Sequence, residues 1–142
     1  MIKYCCVLII LLTLFYCCNF SGFVYKKQII DKYYLIAIDI DEQMTICYPI
    51  NNGDFIGIID ETVYSIGYNK DFIIAKQHPF KLPNNYEKSK TNYFIIPISK
   101  KRSIIPEDNV IGPLTKAEFE TNRKNLNIPD SLSFTIIFEN LK

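Results

Sequence analysis

The sequence predicts an α+β domain: a curled, mostly antiparallel β-sheet of about six to seven strands with one C-terminal helix and a final strand. Three observations lead there. The chain carries 10 Tyr and 10 Phe in 142 residues and is rich in Ile, residue types that suit half-buried strands. From Tyr33 to Pro97, short apolar segments are separated by turn residues and not by helical repeats, which argues against a parallel α/β arrangement. One segment, "LTKAEF", has the features of a helix start.

Taken in order, "VYKKQIID" (Val24 to Asp31) reads as a short tether or a weak first strand. In "YYLIAIDID" one face carries Tyr34, Ile36, Ile38 and Ile40, and the other carries Leu35, Ala37, Asp39 and Asp41. "EQMTICYPI" continues with Met44, Ile46 and Tyr48 on one side and Thr45 and Cys47 on the other, so the two runs predict a hairpin through Asp41, Glu42 and Gln43. "NNGD" is a turn and "FIGII" a short buried strand. "TVYSIGY" and "DFIIAKQ" flank Asn69 and Lys70 as a second hairpin. After a polar loop from His78 to Thr91 comes "NYFIIPI", where Pro97 favours an edge strand or a strand end.

Thr115 and Glu118 stand at capping-box spacing, with Leu114 and Phe119 at the flanking staple positions. They predict a helix over 116–126, with a thin apolar stripe of Ala117, Phe119 and Leu126, ended by Asn127 and Pro129. "SLSFTIIFE" alternates, predicting a last strand with Leu132, Phe134, Ile136 and Phe138 inward, paired with the main sheet and covering an edge.

The amino terminus sets the expected address. Lys3 precedes an uncharged run from Tyr4 to Cys18, in the layout of an export signal. A spanning helix needs about 20 apolar residues, and this run falls short before Asn19, Ser21 and Gly22 interrupt it. A cleaved signal is therefore expected over a permanent anchor. The adjacent Cys17 and Cys18 do not suit a mutual disulfide, because a bridge wants Cα atoms about 5.5 Å apart and neighbours are about 3.8 Å apart. Zinc pairs are typically spaced Cys-x-x-Cys, and the other adjacent pair, Cys5 and Cys6, lies within the apolar run.

"LTLFYCCNF" resembles the end of a bacterial lipoprotein signal, in which Leu stands three positions before an acylated Cys and a small residue just before it. "LFYC" has Leu14 ahead of Cys17 but bulky Tyr16 next to it; "FYCC" has the smaller Cys17 before Cys18 but Phe15 in place of Leu. The resemblance implies lipid attachment at Cys18 or Cys17, with a slight preference for Cys18. The expected organisation is a signal over 1–17, a tether over 18–31 and a single domain over 32–142. Cleavage would leave Cys47 and the acylated cysteine, hence no disulfide framework in the domain.

Charge and motifs exclude more than they assign. A formal net charge of +1, with both signs scattered, gives no footprint for nucleic acid. "KKR" (Lys100 to Arg102) is the one basic cluster and reads as a solvated loop, with contact to anionic lipid as the alternative. His78 is the sole histidine, so a triad or histidine metal site would hang on it alone; it reads as an exposed or capping loop residue. Nucleophile-elbow, phosphate-loop and HExxH signatures are absent. Asp39, Asp41 and Glu42 are the best cation candidate, but nothing nearby completes a set of oxygen ligands, so they read as a solvated hairpin end. Cys47 reads as a small buried hydrophobe. The tyrosines, Tyr33, Tyr34, Tyr48, Tyr64, Tyr68, Tyr86 and Tyr93 among them, suit either half-buried sheets or a recognition face. No catalytic residue, metal, cofactor or small-molecule substrate is expected.

"IGYNKDFIIAKQHP", then "NYFIIPI", then "GPLTKAEFETNRKNLNIP" resemble a family of small uncharacterised bacterial envelope lipoproteins over 63–129. The resemblance implies an envelope location, membrane-anchored and facing outside the cytoplasm, with no assigned activity and no catalytic or ligand residue. The expectation is a lipid-anchored protein-interaction or binding module, with another envelope protein as partner and the Pro79 to Asn92 and Lys100 to Gly112 loops as contacts. The alternative is a membrane-tethered immunity or inhibitor protein against a toxin or hydrolase.

Overall fold

A two-residue turn opens the architecture. Asp31 adopts φ +52°, a left-handed conformation that Asp tolerates, and folds β1 (Tyr25–Ile30) back onto β2 (Tyr33–Ala37). The computed structural model describes residues 22–50, 53–81, 85–98 and 106–142. The segment read as a tether or a weak first strand is thus a strand. A 3-10 turn at Asp41–Gln43 leads to β3 (Thr45–Pro49), as the hairpin reading expects, and β4 (Phe55–Ile59) completes a four-stranded antiparallel sheet in the order β1-β2-β3-β4.

The expected single sheet is in fact two. The chain leaves β4 at a tight corner, Asp60 to Thr62, before β5 (Val63–Tyr68) begins. Thr62 holds φ +67°, which is costly for a β-branched residue. The surroundings fix it. Its hydroxyl donates to the Glu42 carbonyl (3.1 Å), its carbonyl accepts from His78 N (3.1 Å), and Val63 N donates to the Met44 carbonyl (2.8 Å). Beyond this corner, β5 and β6 (Phe72–Gln77) form the predicted hairpin. Asn69 Oδ1 accepts from the N–H groups of Asp71 (2.9 Å) and Phe72 (2.8 Å) and so shapes its turn. A short pair, β7 (Phe80–Lys81) and β8 (Asn85–Tyr86), lies within the segment read as a polar loop.

The second sheet runs β10-β9-β6-β5-β11, with β9 at Asn92–Pro97, β10 at Ile111–Leu114 and β11 at Ile136–Ile137. Pro97 ends β9, where its missing N–H costs least. The helix α1 (Lys116–Asn125) starts at the anticipated capping box: Glu118 N donates to Thr115 Oγ1, and Thr115 N donates to Glu118 Oε2 (2.8 Å). The architecture is antiparallel, mostly β, with a single helix among the described residues.

Two apolar layers hold the parts together. Between the sheets lie Leu35, Ala37, Ile46 and Ile59 from the first and Ile66, Ile73, Ala75 and Ile96 from the second, all essentially inaccessible. Each larger side chain contributes on the order of 1.5–3 kcal/mol by leaving water. The far face of the second sheet presents Ile74 and Ile95 to Phe119 of α1, with Ile128 and Leu132 closing that layer. Ala117 is exposed, so the helix packs through Phe119 and not through the full expected stripe. The C-terminal strand also differs from expectation. It covers the β5 edge as predicted, but Leu132 and Phe134 join the helix-side layer, while Ile136 and Phe138 join the inter-sheet core. The chain crosses the sheet edge at Thr135, whose N–H donates to the Ile66 carbonyl (2.9 Å).

Candidate functional site

The first sheet has two faces, and only one is covered by the second sheet. Alternation sends Leu35 and Ala37 into the core and Tyr34 and Ile36 outward, with Thr45 and Cys47 beside them on β3. Gly57 on β4 pairs with Cys47 and adds no side chain to this outer face. The result is an open hollow of about 300 Å³, lined by Phe23, Ile36, Ile38, Cys47, Phe55 and Gly57 among others, with Gln43, Thr45, Asp54 and Glu61 supplying polar groups.

One end of the hollow is an aromatic cluster. The Phe55 ring meets Phe23 edge-on (centroids 6.1 Å, 87°) and Tyr34 at 5.2 Å and 72°. The Lys26 ammonium is placed among all three, 4.4 Å from the Phe55 centroid, 5.0 Å from Phe23 and 5.8 Å from Tyr34. Such a cation is drawn to the negative ring faces, by about 0.5–1 kcal/mol in an exposed setting. The floor is apolar and tightly held: Ile36 and Cys47 are buried. Burial pushes the Cys47 thiol from 9.0 up to about 11, so at neutral pH it is a protonated, weakly nucleophilic group. The arrangement suits holding an apolar or aromatic surface. Phe23, Lys26 and Phe55 escaped the sequence reading because nothing in the pattern says which apolar face of a strand is left uncovered.

The other singled-out residues go elsewhere. Of the exposed or capping loop positions expected for His78, the exposed one is wrong: it is buried, its ring stacks on Tyr64 (4.3 Å, 13°) and its Nδ1 bonds the Lys90 carbonyl at 2.8 Å. Its Nε2 is buried without a hydrogen-bond partner among the described residues. Burial raises the Tyr64 phenol, whose hydroxyl is bonded to Thr91 Oγ1 (2.9 Å). Asp41 accepts from Asn140 Nδ2 (2.9 Å), and Glu42 accepts from the Tyr86 hydroxyl (3.2 Å), so both tie this turn to distant parts of the chain. Among the described residues, no group of three His, Cys, Asp or Glu side chains could hold a metal ion. The tyrosines do not converge on one face: Tyr34 lies on the outer face, Tyr33 and Tyr48 pack edge to face (5.4 Å), and Tyr93 packs on Phe119 (5.0 Å). Cys17, Cys18 and Lys100 to Arg102 lie outside the described residues. Among the described residues, no helix is long and apolar enough to cross a membrane.

A family model described as "Protein of unknown function (DUF3997)" matches residues 28–139, which span both sheets and the helix. The chain belongs to this family. The match begins within β1 and ends just past β11, so it includes Ile36 and Cys47 on the floor of the hollow but not Phe23 or Lys26. No curated protein and no solved structure matches the chain.

Proposed function

We propose that this protein is held at the bacterial cell envelope by a lipid on Cys18 or Cys17, facing outside the cytoplasm, and acts by binding another envelope protein. The observation that carries the reading is one of spacing. An uncharged run from Tyr4 ends in two cysteines at 17 and 18, a few residues ahead of the first strand, Tyr25–Ile30. An acylated cysteine there would leave a very short link to the domain. Each buried acyl methylene contributes about 0.8 kcal/mol, and more than one chain makes anchoring stable. A binding role is supported by apolar side chains that the fold leaves exposed away from the hollow, Phe80 on β7 among them at 51%.

Mass spectrometry of the mature amino terminus tests the anchor: the expected result is a diacylglyceryl group on Cys18 or Cys17. An intact Met1, or cleavage after Ser21 without lipid, removes it. Crosslinking in native envelopes tests the binding role, with an enriched envelope protein as the expected result.

A further inference from the structure

The outer face of the first sheet is also where the chain from the anchor arrives. Gly22 leads into Phe23, whose ring is set against Phe55 on that face, and Val24 N donates to the Ile38 carbonyl at 2.9 Å. Residues 19 to 21 alone separate Cys18 from Gly22. Four steps of at most about 3.6 Å reach roughly 14 Å, so a lipid on Cys18 holds the Gly22 end of this face within that distance of the bilayer.

The chemistry of the face fits such a neighbour. Val24 and Ile38 are 57% and 54% exposed, next to the hollow and its three rings. Apolar side chains left in water beside one another mark a contact surface. The amphipathic ring of a tyrosine such as Tyr34 favours the headgroup level of a membrane, and a lysine stem can lie along apolar surface while its ammonium reaches the headgroups. Lys26 stands among the rings while Asp54 and Glu61 line the hollow, a mixture of signs that suits zwitterionic headgroups. The opposite side of the domain differs: α1 exposes Lys116, Glu118, Glu120, Thr121 and Lys124.

We infer that the outer face of the four-stranded sheet rests on the bilayer that carries the anchor, with zwitterionic lipid as its partner. The inference depends on the lipid-anchored reading above. It leaves the helix side, and Phe80 on β7, which does not line the hollow, free for a protein partner.

The chain contains no tryptophan, so a single introduced one reports its own surroundings. The full chain, with its native amino terminus, is prepared as Ile38→Trp, Phe55→Trp and Glu120→Trp and reconstituted in phosphatidylcholine vesicles with or without brominated acyl chains. Ile38 is already exposed and Glu120 is an exposed helix position, so both variants should fold even if Phe55→Trp does not. Brominated lipid should quench Ile38→Trp about twofold or more and leave Glu120→Trp nearly unchanged, as expected for a ring at headgroup depth. Equal quenching at the two positions, in chains that float with the vesicles, overturns the docking and leaves the anchor standing. The same holds if Ile38→Trp is shielded from an aqueous quencher but untouched by brominated lipid, which would mean another occupant. Chains that carry no lipid and do not float overturn the anchor, and the docking with it.

Discussion

The backbone carbonyl of Ser133 occupies the space where a side chain on Gly67 would begin. A Cβ built on Gly67 would lie 1.9 Å from that oxygen and 3.3 Å from Ile74. Gly67 is therefore what lets the segment after α1 cross the helix-side face of β5 before β11 forms. Gly67→Ala should force this segment off the sheet and destabilise the fold by at least the 1–3 kcal/mol or so typical of overpacking. Chemical denaturation checks it: the midpoint should fall, and loss of Phe134 and Leu132 packing should accompany the fall.

The helix cap gives a prediction with a pH signature. Thr115 donates two hydrogen bonds to the Glu118 carboxylate, from its backbone N–H and from its hydroxyl (2.7 Å), and these hold the carboxyl below its ordinary range. A depressed folded-state pKa means stability that is present above the unfolded value and lost as pH falls through the folded one. Thr115→Ala should cost about 1 kcal/mol. Glu118→Gln should flatten the decline in stability on acidification below the usual carboxylate range. A pH series of thermal melts on the two variants separates the contributions.

The same helix shows what the sequence makes legible. A capping box is local: two residues and their spacing carry the whole signal, and Thr115 and Glu118 are found in that geometry. The hairpins at Asp41–Gln43 and Asn69 are local in the same way. The division into two sheets is not local, because it turns on Thr62 holding φ +67° against partners at Glu42 and His78. The candidate site is hidden for a related reason. β2 is apolar on both faces, so period-two alternation separates Leu35 and Ala37 from Tyr34 and Ile36 without saying which pair meets the second sheet. Leu132 and Ile136 illustrate the limit from the other side: they share an alternation parity but enter different layers, because the chain crosses the sheet edge between them.

The buried thiol on the outer face should report through alkaline stability. Burial raises Cys47 from 9.0 to about 11. A folded-state pKa above the unfolded one gives stability that is whole below the unfolded value and lost as pH rises through the folded value. Stability should therefore decline between pH 9.0 and about 11. Cys47→Ala should lack this component of the decline, although tyrosine ionisation remains in both proteins. Alkylation of Cys47 in the folded chain at pH 8 should be slow and should accelerate to that of a free thiol when denaturant is added.

Gly57 provides the opposite case to Gly67. A Cβ built there would meet Thr45 Oγ1 at 3.8 Å and Cγ2 at 3.9 Å, which are ordinary contacts, and the rest of its surroundings is the open hollow. The glycine thus costs strand stability without being required by a close approach. Gly57→Ala should raise stability by about 0.5–1 kcal/mol, since alanine loses less conformational freedom on folding. Gly57→Leu should also fold, with its side chain spreading into the hollow between Ile36 and Phe55. Equilibrium denaturation of the two variants beside Gly67→Ala makes the comparison. If Gly57→Ala destabilises the protein as Gly67→Ala does, the hollow is closed in solution and the outer face of the first sheet is not free. If Gly57→Ala is stabilised and Gly57→Leu folds, the fold does not require glycine here and the hollow has room for a side chain.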